Sequence, residues 1–239
     1  MGIFRTRPSV GLADNVNDSN PGRNSWYGDR YVVPVGASNW AFADEGSSFV
    51  ATNATLATGI AGHAAPVVAD TDTKALLHLY NGGQRNIVVN HLFLEVTAAG
   101  TAGTIQYAVV YIDNKGSTAR TSGGTAITPV ATRSDAPFTT GAVVYFGAVV
   151  VAMDASKKVG QQIVREVIPV VQDTVLLKFG GADSSVHSAL TTAGTATDHA
   201  VLQFAPVVVA PGGNLNVAMI RPSQSGAASY QFEFGYFER

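Results

Sequence analysis

Apolar residues recur at every second position in short runs, and each run ends in a cluster of Gly, Asn, Asp or Ser. That pattern predicts strands joined by turns. From Thr104 to Asp113, the residues Ile105, Tyr107, Val109 and Tyr111 share one face. From Tyr230 to Phe237, Phe232, Phe234 and Tyr236 alternate with Gln231, Glu233 and Gly235. Further strands are predicted at Ala75 to Tyr80, Asn86 to Ala98, Ala126 to Ala131, Val143 to Ala152 and Gln161 to Val171. The last ones fall at Thr174 to Phe179, Val201 to Val209 and Leu215 to Ile220. No segment sustains a 3.6-residue period with caps. The connections are too short for crossover helices, so parallel pairing is not expected. The fold class that follows is all-β, an antiparallel two-sheet sandwich. A jelly roll is the leading topology, and a closed barrel or immunoglobulin-like sandwich is the alternative. No repeat of fixed period is present, which argues against a solenoid or propeller.

The first 70 residues read differently. Asp14 to Gly22 is a turn-and-loop cluster, followed by Trp26, Tyr27, Tyr31, Trp40 and Phe42. Tyr31 to Val35 predicts a short strand that Pro34 confines to an edge, and Ser47 to Ala51 predicts another. Residues 1–70 are therefore expected to be an extended N-terminal arm and irregular segment, with residues 71–239 forming the sandwich. An irregular lid packed on its own domain is the competing reading of the first segment.

Composition bears on what the sandwich meets. Hydrophobic residues make up 46% of the 239, and charged residues only 13%. The charged share is about half the ~25% of ordinary soluble domains. A formal net charge of −2 adds little self-repulsion, so much of the surface is expected to be covered by partners. The chain has no cysteine, which excludes disulfides, thiolate metal sites and thiol catalysis. The 15 Lys and Arg are scattered, and no nucleic-acid partner is expected. No apolar run approaches the ~18 residues of a membrane span, and no signal-peptide core follows Met1, so no membrane association is expected. Met1 to Thr6 matches the short N-myristoylation pattern, which also arises often by chance.

Catalytic chemistry finds little footing. The five histidines, His63, His78, His91, His187 and His199, form no metal-binding spacing. His78 and His91 lie on successive predicted strands and could face each other across a ladder. Asp183, Ser184 and His187 are close in sequence, but they sit in a Gly-, Ser- and Thr-rich loop with no nucleophile elbow. Asp14 to Gly22 and Asp70 to Asp72 resemble calcium loops in residue type alone. The glycine pairs at 82–83, 123–124, 180–181 and 212–213 read as turn glycines. Arg165 and Glu166 sit mid-strand on opposite faces, where either could pair with a neighbouring subunit. No catalytic residue, cofactor or metal is expected. An exposed aromatic platform with carboxamides nearby would favour glycan binding, but sequence does not reveal one.

The last third carries a resemblance. Ala205-Pro206-Val207-Val208-Val209-Ala210-Pro211-Gly212-Gly213-Asn214-Leu215 leads into a strand, and Pro222 to Tyr230 follows it. The chain closes on Glu233-Phe234-Gly235-Tyr236-Phe237-Glu238-Arg239. This pattern, with the Thr121 to Pro129 loop, resembles jelly-roll head-decoration (cement) or minor capsid proteins of tailed bacteriophages, over residues 75–239. The resemblance implies a structural, non-enzymatic protein on the capsid surface of a virion. It implies a homotrimer whose arm binds the major capsid protein. Arg5, Arg7, Trp26, Tyr27 and Trp40 are the expected anchors, because aromatics and Arg dominate interface energetics. The alternative function is a tail, collar or fibre component, or a host-glycan-binding adhesin.

Overall fold

A computed structural model of the protein describes residues 42–53, 55–64, 73–101, 106–114, 120–152, 155–165, 169–180, 199–222 and 224–239. The chain divides after Phe42, and the unit described is Ala43–Arg239. Its strands begin with β1 (Ser48–Thr52), β2 (Ile60–Ala61), β3 (Lys74–Asn81), β4 (Ile87–Ala98) and β5 (Gln106–Asp113). They continue with β6 (Arg120–Ile127), β7 (Val130–Ala131), β8 (Ala142–Val151), β9 (Lys158–Arg165) and β10 (Thr174–Phe179). β11 (His199–Phe204), β12 (Val208–Val209), β13 (Asn214–Ile220) and β14 (Ser229–Glu238) complete them. A 3-10 turn at Ala155–Lys157 and a short helical stretch at 42–44 are the helical pieces among the described residues.

The strands form two sheets. The six-stranded sheet runs β9–β5–β13–β3–β8–β6. The eight-stranded sheet runs β11–β10–β4–β14–β1–β7, with β12 also paired to β4 and β2 to β14. The all-β, two-sheet expectation therefore stands. One pairing departs from it: β10 and β11 run parallel, from Thr174 opposite His199 to Phe179 opposite Phe204. The Gly-, Ser- and Thr-rich stretch 180–198 joins the two strands. It exceeds the dozen or so residues that a parallel return requires.

The core lies between the sheets and follows the alternation along each strand. Leu77, Leu79, Val144, Phe146 and Val217 enter it from the six-stranded sheet. Leu92, Leu94, Leu177, Phe232 and Phe234 meet them from the other. Phe146 and Phe232 stack across the gap with ring centroids 3.8 Å apart and planes within 6°. A second apolar cluster, Val109, Tyr111, Ala218 and Ile220 with Tyr107, sits on the opposite face of β5 and β13. Hence β13 is buried at every position.

Two boundaries shift from their sequence reading. β1 and β2 pair with β14, so the sandwich takes in residues ahead of 71. β6 reaches back to Arg120 through Ser122-Gly123-Gly124-Thr125, a polar stretch without strand character in its composition. Gly123 and Gly124, read as turn residues, instead sit inside this edge strand at φ +71° and +72°. The pairing of β6 with β8 shifts register there, and a bulged, glycine-bearing edge resists pairing with another chain.

Candidate functional site

The five expected anchors, Arg5, Arg7, Trp26, Tyr27 and Trp40, lie outside the described residues. So do Asp14 to Gly22, Tyr31 to Val35, Asp70 to Asp72, Asp183 to His187 and Glu166. The structure does describe His78 and His91, and it separates them. His78 belongs to the six-stranded sheet and His91 to the eight-stranded one, because the chain changes sheets at the β3–β4 turn. Among the described residues, no group of three or more His, Asp or Glu could hold a metal ion.

His78 is buried on the side of its sheet away from the main core. Asn216 Nδ2 donates to Asn214 Oδ1 at 3.0 Å, which leaves Asn216 Oδ1 to accept from His78 Nδ1 at 2.7 Å. Burial lowers the imidazole pKa, the Asn216 hydrogen bond opposes that shift, and the charge of Arg120 adds to it. A neutral, hydrogen-bonded histidine in a packed sheet is a structural element. Arg221 has a comparable role. It is 1% exposed and donates to the carbonyls of Ala99 at 3.1 Å and Thr101 at 3.4 Å, tying the β13–β14 connection to the end of β4. Burial lowers its pKa, and the nearby Tyr230 acts in the opposite direction.

The outer face of the eight-stranded sheet is different. Val201, Leu176 and Phe93 stand side by side across β11, β10 and β4, and the row continues to Glu233 on β14. Val201 is 37% exposed, while Leu176 and Phe93 are half-buried. In the adjoining row, His91 Nε2 meets Glu233 Oε1 at 3.0 Å, and Asn90 Nδ2 donates to His91 Nδ1 at 3.1 Å. Val50 and the exposed Val130 extend that side. The face is a mixed apolar and polar strip, accessible along its length.

A cleft opens at one end of the sandwich. It is about 310 Å³ and is lined by the β3–β4 turn (Gly83, Gln84, Arg85), the β7–β8 loop (Pro137, Phe138, Thr139, Gly141) and Glu238 of β14. Its walls are tied to the strands. Asn81 Nδ2 donates to the carbonyls of Arg85 at 2.7 Å and Val209 at 2.8 Å, and Asn81 Oδ1 accepts from Gly83 N–H at 3.0 Å. Gly82 N–H donates to Gly141 O at 3.0 Å. The two loops touch so closely that a Cβ on Gly141 would lie 2.4 Å from Gly83 Cα. Glu238, only 6% exposed, accepts at Oε1 from Thr140 Oγ1 and from Gly141 N–H at 3.1 Å. Tyr236 supports this arrangement, its hydroxyl donating to Thr140 Oγ1 at 2.7 Å. Burial raises the phenol pKa well above its ordinary value, so the hydroxyl keeps its proton. On the opposite wall the Arg85 guanidinium lies over the Phe138 ring, 3.9 Å from its centroid. Phe138 remains 38% exposed.

Nothing in the sequence pattern marked Arg85, Phe138 or Glu238. Each is an ordinary loop or strand-end residue, and only the meeting of three distant segments makes a site of them. Comparison with known proteins found no matching family model, no matching curated protein and no matching solved structure.

Proposed function

We propose that this chain is a structural subunit of a virus particle, a decoration or cement protein on the capsid of a tailed bacteriophage. The observation that carries the reading is the outer face of the eight-stranded sheet. Its Val201–Leu176–Phe93 row and the valines beside it have the mixed character of a surface that another subunit covers. The sparse charge of the whole chain agrees with that use. The strand path favours a jelly-roll ancestry, since β3, β4 and β5, and again β9, β10, β13 and β14, alternate between the sheets. Other steps depart from it: β5 and β6 stay in the six-stranded sheet, and β10, β11 and β12 stay in the eight-stranded one.

In this reading the chain assembles as a homotrimer, and the segment ahead of Ala43 acts as an arm that binds the major capsid protein through Arg5, Arg7, Trp26, Tyr27 and Trp40. Several modest contacts made at once give such a subunit its hold. Peptide mass spectrometry of purified particles, followed by imaging of the particle, tests the proposal. Many copies on the head are expected. A few copies on the tail, or absence from the particle, would overturn it.

A further inference from the structure

We propose that the end cleft binds a neutral saccharide, taking one sugar ring against the stacked Arg85–Phe138 pair on one side and Glu238 on the other. The inference does not depend on where the chain sits in a particle.

The first support is the state of the polar groups. Glu238 is more than nine-tenths buried, and its Oε1 is fully engaged by Thr140 and Gly141. Its Oε2 has no hydrogen-bond partner among the described residues, although the side chain lines the cleft. Across the cleft, the Arg85 guanidinium makes its ring contact with Phe138 and donates no hydrogen bond to a described residue. No ion pair joins Arg85 to Glu238. The cleft thus presents a free carboxylate oxygen on one wall and up to five unused N–H donors on the other.

That arrangement selects the ligand class. A cation would meet Glu238 but face Arg85, and an anion the reverse. A neutral polyol satisfies both walls, since its hydroxyls donate to the carboxylate and accept from the guanidinium and from the carboxamide of Gln84. Phe138 supplies what a simple polyol would not use: the part of its ring that Arg85 leaves uncovered, against which the C–H face of a sugar ring packs. The volume, about 310 Å³, lies at the small end of ligand pockets and suits one ring rather than an extended chain. The walls are also ordered in advance. Asn81, Thr140, Tyr236 and the Gly83–Gly141 contact hold the loops, so little freedom is lost on binding.

The test is saturation-transfer NMR on the intact chain with D-glucose, D-galactose, D-mannose and N-acetylglucosamine, each separately, with glycerol and L-alanine as comparisons. Transfer to at least one sugar is expected, strongest at the protons of one ring face. Affinity should fall about tenfold or more in Phe138→Ala and in Arg85→Met, both surface changes of the kind that leave folding intact. Glu238→Gln should weaken binding too, while its amide oxygen continues to accept from Thr140 and Gly141. Three results would each overturn the proposal: no transfer to any of the four sugars, equal transfer to L-alanine, or sugar binding that survives both Phe138→Ala and Arg85→Met.

Discussion

Each sheet of the sandwich carries a histidine with a polar partner on the strand beside it, on the side facing away from the core. In the six-stranded sheet, His78 and Asn216 are shielded almost completely, and the strip they share with Asn214 leads into the Val109–Tyr111–Ala218–Ile220 cluster. In the eight-stranded sheet, His91 and Glu233 stand open to water, with 23% and 52% of their side chains exposed. The chemistry is alike and the setting is opposite. Where water is excluded, an unmade hydrogen bond carries the full desolvation penalty, so the His78–Asn216 pair helps hold the sheet. Where water is present, it replaces whatever the pair loses, and His91–Glu233 is worth little to stability. The His91–Glu233 site can therefore change its residues to suit a partner, and the His78–Asn216 site cannot.

Substitutions can break or sharpen this contrast. The largest effect belongs to what the sheets share. Phe146→Ala removes half of the Phe146–Phe232 stack, and urea denaturation should show a loss of about 3–5 kcal/mol. Next comes Asn216→Ala, which strands His78 Nδ1–H and removes the donor to Asn214 Oδ1, and should cost about 1–3 kcal/mol by the same measurement. A cost no larger than that of Glu233→Ala, expected at about 0–1 kcal/mol, would erase the distinction between the sheets.

Acidification probes the same difference. Burial holds the folded pKa of His78 below its ordinary 6.5, so the unfolded chain takes up the proton first. Stability from the neutral imidazole is complete above that value and is lost as pH falls toward the lower folded pKa. Stability followed from pH 8 to 5 should decline more steeply in the native chain than in His78→Gln. Parallel curves would show that His78 does not titrate differently on folding. The smallest effect on folding is expected at Val201→Glu, within about 0.5 kcal/mol. If the outer face is an interface, sedimentation should nevertheless show weakened self-association, or purified particles should carry less of the variant.

Much of the strand pattern was legible in the alternation of side chains. The spacing gives Thr174 to Phe179 residue for residue, and it puts Phe232, Phe234 and Tyr236 on one face, which the fold turns into the core. The strand from Arg120 was missed because Ser122, Gly123, Gly124 and Thr125 read as a turn. A bulged edge strand draws its order from its neighbour, here β8, rather than from its own propensity. Tyr107, Val109 and Tyr111 were rightly grouped on one face, yet Ala108 and Val110 on the other face enter the main core. Alternation reports that two faces differ and is silent on which of them meets the other sheet.

The sequence by itself determined an all-β chain, the place of most of its turns and the side chains that share each face. Those properties follow from steric and hydrophobic preferences acting over a few residues. Only the tertiary structure decided which sheet each strand joined, that β10 and β11 pair in parallel, and that His78 and His91 lie apart. It alone brought Arg85, Phe138 and Glu238 to one cleft. Those outcomes depend on pairings between segments tens to hundreds of residues apart. Such pairings are chosen by how the whole chain buries its apolar faces together, which no local pattern encodes.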